Sequence, residues 1–425
     1  MFIERSAGRI RLTRLIFVAA GLVPCLLLAG WAMHRRSAAH CDVVRAAWQA
    51  AVGLPLEVAA VSHPRPGVIA ATGVVVRSPA GLPLLELPAL EVESAATENR
   101  LVIRAALVDV GAAGMLGTLA REWLQSDARH PRNCVIEVAD LAWGGAAADQ
   151  GRGETLRIEC VGQGLSRAIR VVRGDGEGGD EIRAVRTLEG QGPSIAERFE
   201  VEGRLSRPVP ASVLAAVAGL PVSASAAIAA RATVSGDLQA MHDAAGWSGS
   251  ATGRIDDLDL GGCCAAVQAR GAGAASVSLK RFAWRSGRLV EAAIVCESGP
   301  GWVEAALFDR LVIALGCRPG PALQASAETR AFDAAGCALE LDGGSVTVRP
   351  AGGASGLATA SGAVLLQAPT AAVAFERLAW MVSPPAATFV PADGPGAWLM
   401  SIVPGDPRGT QRAMNPSQRE GARGF

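Results

Sequence analysis

Three aspartates, Asp256, Asp257 and Asp259, fall within four positions in "SGSATGRIDDLDL", residues 248–260. Carboxylates this close can hold calcium or share the acid and base work of a hydrolysis. A calcium loop needs oxygen ligands at alternating positions, a sharp glycine turn and a downstream bidentate glutamate. Here Leu258 and Leu260 alternate with Asp257 and Asp259, and no acid closely follows Gly261 and Gly262. Ile255 belongs to the opposite phase, so the pleat slips at Asp256–Asp257. The pattern predicts the solvated face of a strand rather than a metal site.

The other chemical candidates also thin out. "GDGEGGDE", 174–181, contains G-x-G-x-x-G at Gly174, Gly176 and Gly179. A dinucleotide loop must open a helix whose N-terminus meets the phosphates. The next residues, "DEIRAVR", have a strand pattern, and Asp175, Glu177, Asp180 and Glu181 would repel phosphate. A polar hairpin tip is expected. His242 adjoins Asp243, with Ser248 nearby, but "MHDAAGWSGS" reads as a loop between strands, and no G-x-S-x-G elbow supports a serine hydrolase. His34 and His40 are juxtamembrane, and His63 and His130 precede prolines. No H-E-x-x-H and no phosphate-loop motif is present. No catalytic, cofactor-binding or metal-binding residues are assigned, and a non-enzymatic role is expected. An envelope hydrolase using Asp256, Asp257 or His242 is the minor alternative.

Nine cysteines occur, eight of them after the apolar N-terminal segment, with no C-x-x-C pair. Zinc-ribbon and thioredoxin readings therefore fail. Two alternatives stay open: small hydrophobes in strands, or one or two disulfides of unknown pairing. The formal net charge is zero, which argues against nucleic-acid binding. There is no tyrosine, and Lys280 is the only lysine, so chemistry resting on a tyrosine acid or several lysines is excluded.

The elements that would carry these residues begin with an apolar helix. "LIFVAAGLVPCLLLAGWAM", 15–33, is an uncharged apolar run. As a helix it covers roughly 28 Å, close to the hydrocarbon thickness of a bilayer. Arg5, Arg9, Arg11 and Arg14 precede it, and Arg35 and Arg36 come after it. That excess places residues 1–14 in the cytoplasm and the rest of the chain across the membrane. A signal peptide cleaved near Ser37–Ala39 is the alternative; the run is longer than usual for one. Cys25 lies mid-span after Pro24, which does not suit a lipoprotein cysteine.

Residues 41–52 read as a short helix. Short apolar runs then recur at roughly ten-residue spacing, separated by Pro-Gly, Thr-Gly and Ala-Gly-Leu-Pro turns. Leu85 and Leu87 share one face; Leu90 and Val92 share a face after a slip at Pro88. Leu156 and Ile158, then Phe199 and Val201, alternate with charged residues. Helical stripes fall at 111–125, through Leu116, Leu119, Trp123 and Leu124, at 211–218 and at 303–315. "CALELDGGSVTVRP", 337–350, predicts a hairpin. The expected fold is mainly β: a transmembrane helix, then an elongated, mostly antiparallel curved sheet with a few short amphipathic helices. Two exported β-rich regions, 41–205 and 206–382, precede a Pro/Gly-rich tail, 383–425, expected to be disordered.

The anchor at 15–33, followed by "GLPLEVAAVSHPRPGVIAATGVVVRSPAGLPLLELPALEVE", 53–93, resembles the opening of AsmA-like envelope proteins. "VSGDLQ", 234–239, and "GSATGRIDDLDL", 249–260, resemble their later Gly-led strands. The resemblance implies a single-pass protein of the bacterial inner membrane, with a periplasmic sheet whose apolar face holds lipid. Leu85, Leu87, Leu90, Val92, Leu156, Ile158, Phe199 and Val201 are the lipid-facing candidates. Phospholipid is the expected ligand and the membrane the expected partner; no protein partner is indicated. The alternative is a non-catalytic scaffold whose helices, 111–125 and 303–315, fill the core.

Overall fold

A computed structural model describes residues 7–382, except 53, 79, 95–97, 109, 127–132, 144–153, 175–178, 190–195, 220–230, 324–326 and 343. The expected disordered tail and His130 lie outside the described residues. The chain is mainly β, its strands pair mostly antiparallel, and it divides into two compact units.

Unit 1 comprises Met1–Asp109, Arg132–Ala142 and Gly153–Leu156. It opens with α1 (Ala7–Phe17), a π turn (Val18–Leu22) and α2 (Val23–Arg35), which continue one another. Pro24 has no N–H to offer the preceding turn, and the widened turn accommodates that loss. Arg11–Arg35 is long and apolar enough to cross a membrane, and none of its most apolar stretch is buried. Helix α3 (Ala38–Val52) starts three residues earlier than expected, where the Ser37 hydroxyl accepts the His40 amide at 3.3 Å.

The unit 1 strands are β1 (Leu56–Glu57), β2 (Ala60–Ser62), β3 (Val68–Arg77), β4 (Pro83–Ser94), β5 (Glu98–Val108) and β6 (Asn133–Trp143). Strand β3 pairs with β1, β2 and β4, and β4 pairs with β5. The register slips at Pro88, as the sequence pattern predicts. The slip places Leu85, opposite Val76 and Val108, on the same apolar face as Leu90, opposite Ala71 and Ile103.

The next strand, β7 (Glu154–Gln163), has its first residues in unit 1. The remaining residues form unit 2. Helix α4 (Val110–Gln125) matches its predicted range but only the C-terminal half of its predicted face, where Trp123 is half-buried and Leu124 buried. It buries Ala112, Ala113 and Leu124, whereas Leu116 and Leu119 are exposed. The small residues win because α5 (Ala211–Ala218) lies close, with Arg121 donating to the Val217 carbonyl at 3.0 Å.

A meander comes next: β8 (Ser166–Arg173), β9 (Asp180–Glu189), β10 (Ala196–Pro210), β11 (Thr233–Asp243) and β12 (Gly246–Asp259). Strand β10 runs through the expected domain boundary at 205/206. Helix α6 (Leu260–Ala266) and strand β13 (Gly271–Ala272) lead to β14 (Ala274–Arg285) and β15 (Arg288–Ser298). Then come β16 (Gly301–Glu304), α7 (Ala305–Leu315), β17 (Arg318–Pro319), β18 (Thr329–Phe332) and the hairpin β19 (Ala334–Asp342) and β20 (Ser345–Pro350). Short strands β21 (Ala358–Ala360), β22 (Ala363–Gln367) and β23 (Val373–Ala374) precede α8 (Glu376–Met381).

The long strands pair in the order β8, β9, β10, β11, β12, β14, β15, β19, β20. A separate small sheet joins β13, β16 and β18. The core of unit 2 gathers where α7, α8 and the small sheet supply Phe308, Leu315, Leu378 and Phe332 to join Leu341, Val346 and Val348 of the large sheet. The stretch 303–315 is therefore a strand end followed by a helix, rather than a helix throughout.

Candidate functional site

Two of the three clustered aspartates hold local structure, and the third marks the bulge. Asp256 accepts from Arg254 at 2.6 Å. Asp257 sits at φ 54 in a bulge between the pairs Ile255–Val277 and Leu258–Ala275. Asp259 caps α6, accepting from the Gly261 and Gly262 amides at 3.0 and 3.1 Å. The slip at Asp256–Asp257 is where the sequence pattern puts it. The strand does not continue through Leu260, however, because the Asp259 carboxylate starts a helix there.

The GDGEGGDE segment links β8 to β9, with Arg173 opposite Asp180. Residues 175–178 of the expected tip lie outside the described residues, and Asp180 is not the solvent-facing acid the pattern suggests. Only 1% exposed, Asp180 accepts from the Ser206 amide, the Ser206 hydroxyl and the Arg207 amide at 2.6, 2.5 and 3.2 Å. Neither does His242 lie in a loop; it stands in β11 opposite Trp247, ring centroids 5.1 Å apart. Asp243 accepts from the Ala245 amide and Ser248 from the Ser286 amide, so the three side chains are not assembled as a triad.

A histidine pair that sequence reading left apart meets in unit 1. His40 and His63 approach at 2.8 Å between Nε2 atoms. Desolvation, with Arg35 and His40 nearby, holds His63 below the ordinary histidine range.

The eight lipid-facing candidates fall in different surroundings. Leu87 and Leu90 are buried in unit 1, and Leu85 and Val92 are half-buried on the same face. Leu156 and Ile158 are half-buried along β7. Phe199 and Val201 are half-buried on β10, and their row neighbours include Trp247 and Ala240. This part of the unit 2 sheet keeps apolar surface open: Leu238 is 38% exposed and Trp247 is 42% exposed. Phe199 meets Trp247 edge-on at 5.9 Å.

None of the eight lines an apolar cavity in unit 2. That cavity measures about 340 Å³. Its walls are helix α7 (Leu307, Phe308, Leu311), the large sheet (Cys296, Leu339, Val348), and the small-sheet residues Val303 and Phe332. Its lining residues are apolar or cysteine apart from Glu297, Ser298 and Gly336. It is more than twice the size of an apolar cavity of about 150 Å³ that takes up benzene, and it falls in the size range of small-molecule sites. Sequence reading missed it because its lining runs from Leu260 to Met381 across many elements. One signal was available: Arg330 shares a strand phase with Phe332, a charge in an apolar row.

Two thiols in that wall stand directly opposite each other. Cys296 pairs with Cys337 across β15 and β19. The Cys337 thiol donates to the Cys296 sulfur; this pushes Cys337 well up, with burial adding to it, and holds Cys296 down. Cys317, also in the wall, is pushed up to about 11 by burial. Facing residues of antiparallel strands lie about 4.5–5.5 Å apart at Cα, within the disulfide span of about 4.4–6.8 Å. A small disulfide oxidant is expected to link Cys296 to Cys337 by exchange, releasing its own two thiols. Peptide mapping of the oxidised full chain should recover that link, and Cys337→Ser should abolish it. Recovery of Cys317 links alone would contradict the assignment.

No protein-family model, curated protein or solved structure matches the chain.

Proposed function

We propose that this is a single-pass, membrane-anchored envelope protein of AsmA-like type that binds or moves lipid. In this reading the N-terminus is cytoplasmic and the bulk of the chain periplasmic, at a bacterial inner membrane. The observation that carries it is the apolar cavity of unit 2, on a chain with a helix long enough to span a bilayer. Each methylene moved from water into such a site contributes about 0.8 kcal/mol. The open apolar surface around Leu238 and Trp247 offers a second place for chains on the same unit. The basic residues before the apolar helix support the orientation.

A non-catalytic scaffold with a filled core is the second reading. It is favoured by α7, which sends Phe308 and Leu315 into the core of unit 2. The deciding experiment is mass spectrometry of lipid extracted from the full chain, purified in mild non-ionic detergent. At least one phospholipid or fatty chain per protein is expected. A folded, lipid-free protein would put the scaffold in front.

A further inference from the structure

Arg330 is 7% exposed, and its Nε and Nη1 atoms are buried with no hydrogen-bond partner among the described residues. A guanidinium taken out of water without a counter-charge is costly, and native proteins seldom leave one so. Its position in the small sheet is specific. Arg330 stands opposite Val303, and Phe332 lies two residues along the same strand face. Both neighbours are walls of the apolar cavity. The outward face of this sheet carries Trp302 and Ala331 instead. Glu304, an acid on the neighbouring strand, is held by Arg270 at 3.0 Å. Arg330 does not itself line the cavity, but it stands beside two residues that do, a buried cation that no group among the described residues neutralises.

We propose that this cavity takes a single alkyl chain ending in an oxyanion, a fatty carboxylate or an alkyl phosphate, with Arg330 binding the oxyanion. The inference rests on the lipid-binding reading and adds the ligand's charge and its partner residue. Arginine suits the task because its planar fork meets two oxygens of a carboxylate or phosphate at once. The chain supplies burial, and the head group neutralises the charge that the fold leaves unmatched.

The test uses the full chain in maltoside micelles at mildly alkaline pH, with three photo-crosslinkable twelve-carbon probes. These are a diazirine dodecanoate, the matching dodecyl phosphate and the uncharged dodecanol. Crosslinked peptides are mapped by mass spectrometry. An oxyanion probe is expected to label peptides carrying Val303 or Leu311 at least about tenfold more than dodecanol does. Arg330→Gln should remove that preference and leave dodecanol labelling unchanged. Arg330→Lys, which keeps the charge without the fork, should fall between. Whichever of dodecanoate and dodecyl phosphate labels more strongly identifies the head group. Equal labelling by all three probes in the unaltered protein would overturn the role of Arg330 and leave lipid binding standing. That comparison needs no variant, so it holds even if Arg330→Gln folds poorly. Absence of label from the cavity with every probe would overturn this site, while extracted lipid still decides the broader reading.

Discussion

Replacing Asp180 by alanine is expected to cost unit 2 about 3–5 kcal/mol, the usual result of stripping one partner from a buried charge network. The carboxylate is 1% exposed and closes the bulged end of β10, where Ser206 and Arg207 turn their amides toward it. The Arg173 side chain lies 3.4 Å away and only 11% exposed, and it would lose this carboxylate as a partner. Asp180→Asn keeps the shape and loses the charge, and should cost less than alanine. Burial by itself would raise this carboxyl. The hydrogen bonds from Ser206 and Arg207, with the charge of Arg173, outweigh burial and hold it below the ordinary aspartate range. A depressed carboxyl stabilises the fold above its unfolded value, near 3.8. That stability drains as pH falls through the lower folded value. Urea unfolding of the full chain across acid pH reads both effects. If Asp180→Asn loses stability on acidification as steeply as the parent, Asp180 is not the source of that slope.

Much of the architecture is set by local patterns. The hairpin at 337–350 could be read because two alternating arms meet at a glycine turn. Helix 211–218 could be read because an apolar run succeeds a proline that ends the strand. What failed needed contacts distant in sequence. The buried face of α4 depends in part on a helix about a hundred residues later, so Leu116 and Leu119 were a poor guide while Trp123 and Leu124 were a fair one. Asp180 reads as a loop acid until Ser206, 26 positions away, closes on it. The lipid-facing candidates rest on strand period together with the resemblance. Period separates the two faces of a strand but cannot say which face another element covers. Leu87 and Leu90 turn out covered, while the cavity forms where helix, small sheet and large sheet fail to meet completely. Arg330 breaks the apolar phase of its strand, a local signal whose meaning depends on the cavity beside it.

Gly236 and Gly253 should show the other large effect. They belong to the two Gly-led strands, 234–239 and 249–260, and they face each other across β11 and β12. Both have left-handed backbone, at φ 142 and 154. A Cβ on Gly253 would lie 2.2 Å from the Ser235 carbonyl oxygen, and one on Gly236 would lie 2.1 Å from that of Thr252. Those obstacles are backbone, held by the ladder on both sides, and cannot swing away as a side chain could. Gly253→Ala therefore adds a clash to the backbone strain of about 1–3 kcal/mol, for an expected loss of about 3 kcal/mol or more. Gly287 supplies the control. It also has positive φ, at 73, but a Cβ there meets open space, so Gly287→Ala should cost only about 1–2 kcal/mol. Denaturant midpoints of the two variants separate strain from close approach; equal losses would mean that the facing strands can part to admit a methyl group. The alanine pair at 236 and 253 should cost less than the sum of its single changes, since strands displaced by the first Cβ have already made room for the second. The register lost there is the one that aligns Leu238 with Ala251 and Phe282 in the next row. Gly253→Ala should therefore disturb the open apolar face while leaving the residues around the cavity in place. Lipid retained by that variant would then belong to the cavity.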